Sequence, residues 1–255
     1  MYSGEERAMY GNQVIDFLKS MDDCVGIVQI GSGVSGYTDE FSDIDLMVAT
    51  NEKPDEVTRF LKKQLHDLGA IYIKEGKFSE RIFMLMPFFN NGLEMNISIM
   101  PVLLMPIRSP LWKVVYDKDG HVLEHLQKQM QHFTSQENPY GLNNDIIFEF
   151  AYHLRKFYIE LARNNTIYAI KMLDYLRDLT LQVQGTNEGK KLHQFKAYHT
   201  LNSGFVKRYL ETYPPIVNKE ELLLAASKIK TLFNQSIDDN EQIEWDEEIF
   251  KIVII

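Results

Sequence analysis

Val14, Phe17, Leu18 and Met21 recur at the spacing of one helix face and predict an amphipathic helix ending near Asp22-Asp23. The pattern then changes: CVGIVQI (24–30) is short, β-branched and apolar, DLMVAT (45–50) repeats that character, and both read as buried strands separated by a small, polar loop. Pro54 opens a second helix, with Val57, Phe60, Leu61, Leu65 and Leu68 on one face and Gly69 as its stop. Three strand-like runs follow, IYIKE (71–75), RIFMLMPFF (81–89) and LEMNISIM (93–100), and Asn90-Asn91-Gly92 predicts a hairpin joining the last two. Trp112 to Tyr116, followed by Asp117-Lys118-Asp119-Gly120, reads as a further strand and turn.

Turn residues cluster at Gln136-Glu137-Asn138-Pro139-Tyr140-Gly141, after which strand patterns cease. Residues 144–163, 166–184, 189–212 and 218–236 carry helical spacing, as in Ile147, Phe150, Ala151, Leu154, Phe157, Tyr158 and Leu161. The expected class is α+β: an N-terminal α/β domain with a mixed sheet over 1–137, then a helical bundle over 138–255. The apolar tail IFKIVII reads equally as an edge strand, a packed tail or a partner contact.

Composition narrows the setting. The 255 residues, 45% hydrophobic and 25% charged, describe a chain able to bury a sizeable core. Cys24 is the single cysteine, so no intrachain disulfide forms, in keeping with a reducing compartment. The opening MYSGEERAMYGNQ lacks the basic-then-apolar order of a signal peptide, and Pro87, Pro101 and Pro106 interrupt the most apolar stretches short of a bilayer span. A cytoplasmic protein without a membrane partner is expected. A net charge of −9 opposes tight binding to long nucleic acid, where Lys and Arg must neutralise phosphates. It accommodates a small, even cationic, substrate more readily.

The stretch GSGVSGYTDEFSDIDLMVAT (31–50) carries the strongest chemical signal. Residues two apart on a strand share a face, so Asp43 and Asp45 project together while Ile44 and Leu46 turn to the core. Adjacent carboxylates repel, and a divalent cation between them relieves the repulsion. Hard oxygen ligands suit Mg²⁺, which keeps waters and adds substrate phosphates. Gly31-Ser32 adds a turn where backbone can approach a ligand closely and N–H groups can meet phosphate oxygens.

Gly31-Ser32, the spacer ending in Ser42, and Asp43-Ile44-Asp45 together resemble the signature of the nucleotidyltransferase superfamily related to DNA polymerase β, in the short form of the aminoglycoside and lincosamide members. The specific part covers residues 30–49. The resemblance implies a catalytic domain followed by a helical domain, with the cleft between them. It further implies Mg²⁺ held by Asp43 and Asp45, and ATP or another NTP as co-substrate with phosphates at Gly31, Ser32 and Ser42. The expected reaction is transfer of a nucleoside monophosphate, AMP above all, to a small-molecule hydroxyl, with pyrophosphate released. It leaves open a nucleotide-binding protein without turnover and a protein-modifying enzyme, and it does not set the oligomeric state.

The superfamily has a third carboxylate on a neighbouring strand, and the candidate strand here departs from it. Glu94, Asn96 and Ser98 share one face. The acid of aminoglycoside members aligns with Asn96, whereas a glutamate just after a glycine in lincosamide-like members resembles Glu94. A third acid helps bind metal or takes the proton of the attacking hydroxyl, which Asn96 cannot do. Asp39 and Glu40 read as solvated loop acids, and Arg81, Lys171, the stretches 190–196 and 206–208, and Glu149 as surface groups.

Overall fold

The computed structural model describes residues 2–36, 41–136, 145–190, 198–240, 243 and 247–253. The chain divides into two compact units, Met1–Pro139 and Tyr140–Ile255. Asp39, Glu40 and residues 191–196 of the basic stretch lie outside the described residues.

In the first unit, helix α1 (Gly4–Lys19) starts at Ser3, whose hydroxyl accepts from the Glu6 amide while the Glu6 carboxylate accepts from the Ser3 amide. This reciprocal cap satisfies two donors that a helix start otherwise leaves open. Strands β1 (Cys24–Ile30) and β2 (Ile44–Thr50) follow, then helix α2 (Pro54–Asp67), β3 (Ala70–Ser79), β4 (Ile82–Phe89), β5 (Met95–Pro101) and β6 (Trp112–Asp117). The six strands form one sheet in the order β3-β4-β5-β2-β1-β6. Pairing is antiparallel except between β2 and β5, which run parallel with Asp45 opposite Asn96.

One sheet face is apolar from Ile44, Leu46 and Val48 across to Leu85, Ile97 and Ile99, and it packs with Val14 and Leu18 of α1 and Val57, Leu61 and Leu65 of α2. The other face carries a smaller cluster, in which Val28, Met47 and Ala49 meet Val122 and Leu126 of helix α3 (His121–Ser135). α3 lies close enough to β1 that a side chain at Gly26 would fall 2.5 Å from Val122 Cγ2 and 3.2 Å from the Tyr116 carbonyl. Any residue larger than glycine there would push the helix off the sheet.

The expected Asn90–Gly92 hairpin is present: the Phe89 amide donates to the Leu93 carbonyl, and the Gly92 amide to the Phe89 carbonyl. A second hairpin, β3–β4, turns at Glu80-Arg81, with Ser79 opposite Ile82. Lys77 pairs there with Glu80.

The second unit is helical. Helices α4 (Ile146–Ala162), α5 (Thr166–Asn187) and α7 (Lys219–Asp238) bury one continuous core, with the Phe150 and Phe233 rings stacked at 3.8 Å between centroids. The helical stretch expected over 189–212 is not continuous. α5 stops at Asn187, Gly189 adopts a positive φ of 61°, and a separate helix α6 (Ser203–Leu210) starts at Asn202, whose side chain accepts from the Phe205 amide. Left-handed backbone is what glycine tolerates without strain, so the chain turns where the local spacing alone continues a helix.

The C-terminal tail is a packed segment. Glu247–Phe250 forms a helical turn and Lys251–Val253 a 3-10 turn; Phe250 and Val253 pack on the core, and Arg155 donates to the Ile252 carbonyl at 2.8 Å. Arg177 of α5 is 2% exposed and clamps the chain after α6. Its Nε donates to Thr212 Oγ1 at 3.0 Å, its Nη2 to the Thr212 carbonyl at 2.7 Å and its Nη1 to Asp174 at 2.8 Å, while the guanidinium lies 3.9 Å over the Tyr213 ring.

Candidate active site

β2 begins at Ile44, so Asp43 is the last residue before the strand and Asp45 the first on its polar side. The Ile44 amide donates to the Glu94 carbonyl, which starts the parallel pairing with β5 and sets Asn96 beside Asp45. Asn96 Nδ2 donates to Asp43 Oδ2 at 2.8 Å and to Asp45 Oδ1 at 3.1 Å. One amide thus joins both carboxylates. The nitrogen end of the amide is dictated by chemistry, because ionised carboxylates only accept and the amide oxygen would meet them lone pair to lone pair.

The cluster is half-buried. The Asp45 carboxyl is pushed up to about 6, first by burial and then by the Asp43 charge; the Asn96 hydrogen bond pulls the other way, and the Glu94 charge adds a smaller push. Both leading causes disfavour a second negative charge in a poorly hydrated place, and a cation would offset both.

The glycine of the loop has a reason that the sequence does not display. Gly31 begins a 3-10 turn (Gly31–Ser35) at φ 73°, and a Cβ added there would stand 2.9 Å from Asp45 Oδ2. Its amide donates to the Leu111 carbonyl at 3.1 Å, so this N–H ties the loop to the chain before β6. Gly31→Ala is therefore expected to lower the melting midpoint by several degrees, from roughly 1–2 kcal/mol of left-handed strain plus displacement of the carboxylate. Gly31→Asn, which tolerates the φ better, should recover part of the midpoint but none of any Mg²⁺-induced stabilisation. A Gly31→Ala variant with unaltered midpoint and Mg²⁺ response would refute this account.

Ser32 is exposed on the same turn. Ser42 is half-buried, and its carbonyl accepts from the Tyr2 hydroxyl at 2.9 Å and from Arg7 Nη1 at 3.0 Å. The N-terminal helix thereby fixes the backbone that carries Asp43. Tyr2, Arg7 and Leu111 had no marker in the sequence. Glu94 is half-buried just before β5 and acts on Asp45 through its charge, without a hydrogen bond to either aspartate. Among the described residues no group of three His, Cys, Asp or Glu side chains could hold a metal ion.

The donor set still fits one hard divalent cation. Asp43 Oδ1 and Asp45 Oδ2 carry no hydrogen bond among the described residues, and Mg²⁺ is commonly held by one or two carboxylates, completed by water and phosphate oxygens. Arg81 lies on the β3–β4 turn, Lys171 on α5, and Glu149 on α4 close to His153. Among the described residues no helix is long and apolar enough to cross a membrane.

The fold and the site together define an α+β protein with a paired-carboxylate cluster on the two central strands of a mixed sheet. No protein-family model matches the chain, and no curated protein matches it. Among solved structures it is similar to an aminoglycoside 6-adenyltransferase from Bacillus subtilis, with 13% sequence identity and a TM-score of 0.43, covering 99% of this chain and 96% of that one.

Proposed function

We propose that the protein is a Mg²⁺-dependent nucleotidyltransferase that moves a nucleoside monophosphate, AMP from ATP, to a hydroxyl of a small molecule and releases pyrophosphate. The observation that carries this reading is the carboxylate pair, held together by Asn96 beside the Gly31 turn. The sequence resemblance implies an aminoglycoside or lincosamide acceptor, and the acidic chain suits a cationic one.

In this reading Asp43 and Asp45 hold the ion, which neutralises phosphate charge when bound. Ser32 and Ser42 flank the nucleotide phosphates. Gly31 keeps space for the Asp45 carboxylate, and Asn96 fixes the spacing of the pair. Glu94, just before the neighbouring strand β5, takes the proton of the attacking hydroxyl. Glu94→Gln should then lower kcat on the order of 10²-fold, the usual scale of a general base, with nucleotide binding retained. A variant with unchanged kcat would make Glu94 a bystander.

The overall test is an acceptor panel incubated with ATP and Mg²⁺. Mass spectrometry should find an increment equal to a nucleoside monophosphate on one acceptor class, with stoichiometric pyrophosphate. Labelled AMP on polypeptides alone would favour a protein-modifying enzyme. Absence of pyrophosphate with every acceptor would leave a nucleotide-binding protein without turnover.

A further inference from the structure

We infer that the site takes one divalent cation per chain and that Asn96 sets this number; the inference rests on the nucleotidyl-transfer reading of the same cluster. Two cations at a phosphoryl-transfer site stand about 3.5–4 Å apart and need bridging anionic oxygens between them. Here one oxygen of each carboxylate, Asp43 Oδ2 and Asp45 Oδ1, accepts from the Asn96 amide. A second cation bridging the pair through these oxygens would have to displace that amide, which already meets them with partial positive charge.

Asn96 is neutral and adds no anionic oxygen to those of Asp43 and Asp45, and among the described residues no third acid completes a ligand set of three. The parallel register places the Asn96 backbone opposite Asp45, and turning its side chain away would break both hydrogen bonds to the carboxylates. The amide thus does structurally what a second cation would do, holding two like-charged groups together, at no cost in ion binding. Asn96 is here a positioning residue, acting through the two aspartates.

The test is the Mn²⁺ content of the full-length protein, measured by equilibrium dialysis with a stoichiometric non-hydrolysable ATP analogue and by electron paramagnetic resonance on the same samples. Wild type should retain one Mn²⁺ per chain with the spectrum of an isolated ion. Asn96→Asp should retain two, with the broadened spectrum of a spin-coupled pair. Two coupled ions in wild type would overturn the inference while leaving nucleotidyl transfer intact. Retention of no Mn²⁺ by wild type would overturn the inference together with the functional reading beneath it. One ion in both proteins would overturn the assignment of the count to Asn96. The wild-type count decides the main point whether or not the variant folds.

Discussion

Replacing Asp45 by Asn is expected to slow nucleotidyl transfer by about a thousandfold at saturating Mg²⁺. The change keeps shape and leaves an oxygen to accept from Asn96, yet it deletes one of the two proposed anionic ligands, and about 4 kcal/mol of charge stabilisation corresponds to that factor. The same substitution should raise the melting midpoint of the metal-free protein at neutral pH. The sign follows from the carboxyl's displacement to about 6. The folded state holds this proton more tightly than the unfolded chain does, so the group is most favourable to folding when protonated. That contribution is lost as pH rises from about 4 to about 6. Asn mimics the protonated acid, so its advantage should appear above pH 6 and vanish near pH 4. Mg²⁺ competes with the same proton, and its stabilisation of wild type should grow between pH 5 and pH 7. Thermal melts of both proteins across this range, with and without Mg²⁺, check the sign, and initial rates check the activity. An Asp45→Asn enzyme retaining a tenth of wild-type rate would refute the ligand assignment.

The second large effect concerns the helical unit. Arg177→Met keeps the approximate volume of a side chain that is 2% exposed but removes three hydrogen bonds and the stacking on Tyr213. The cost comes mainly from the Thr212 carbonyl, left without its charged donor in a residue that is fully buried. An unsatisfied buried group costs about 1–3 kcal/mol, and loss of a cation–π contact to the half-exposed Tyr213 ring adds about 0.5–1. The Asp174 pair contributes little, since that carboxylate is largely exposed. A sum of roughly 3 kcal/mol lowers the midpoint by roughly 10 °C. Arg177→Lys, which keeps the charge but lacks the planar fork, should recover less than half of it. Calorimetry of the full chain decides the matter: a Met variant melting within about two degrees of wild type would mean that the clamp carries no stability.

Most of the elements were legible where their cause is local. The apolar runs of β1, β2, β4 and β5, the Asn90–Gly92 turn and the single-face spacing of α2 and α4 announce themselves within a few residues. So does the pairing of Asp43 with Asp45, which needs only strand periodicity. The β3–β4 hairpin was not legible, because Glu80-Arg81 lacks the glycine or asparagine that marks a tight turn and edge strand β3 exposes most of its side chains. Helix α3 was not read although Val122, Leu126, Met130 and Phe133 recur at helical spacing; its start is set through Asp117, whose carboxylate accepts from the Gly120 and Leu123 amides. At the site, strand periodicity points to the carboxylates and the resemblance to the position of Asn96, but neither gives the hydrogen bonds that join Asn96 to both aspartates. The bond from Asn96 to Asp45 spans 51 positions and depends on the parallel alignment of β2 with β5. The reason for Gly31 is hidden in the same way, because the atom that excludes a side chain there belongs to Asp45.

That parallel alignment has a further meaning for how the chain reaches one structure. Strand side chains alternate between faces, so sliding β5 by a single residue against β2 would carry Asn96 into the apolar layer and set Met95 or Ile97 against two carboxylates. Both halves of that exchange are unfavourable: an amide without acceptors in the core, and ionised oxygens against hydrocarbon. The apolar face alone, made of similarly sized Ile, Leu, Val and Met side chains, distinguishes neighbouring alignments of equal parity poorly. A two-residue slide would keep the core face apolar but move Ser98 or Glu94 opposite Asp45, and the amide would lose at least one of its two acceptors. The polar trio therefore works as a key in a lock at the centre of the sheet, so that the residues able to hold an ion are also those that tell β2 which stretch of β5 to accept.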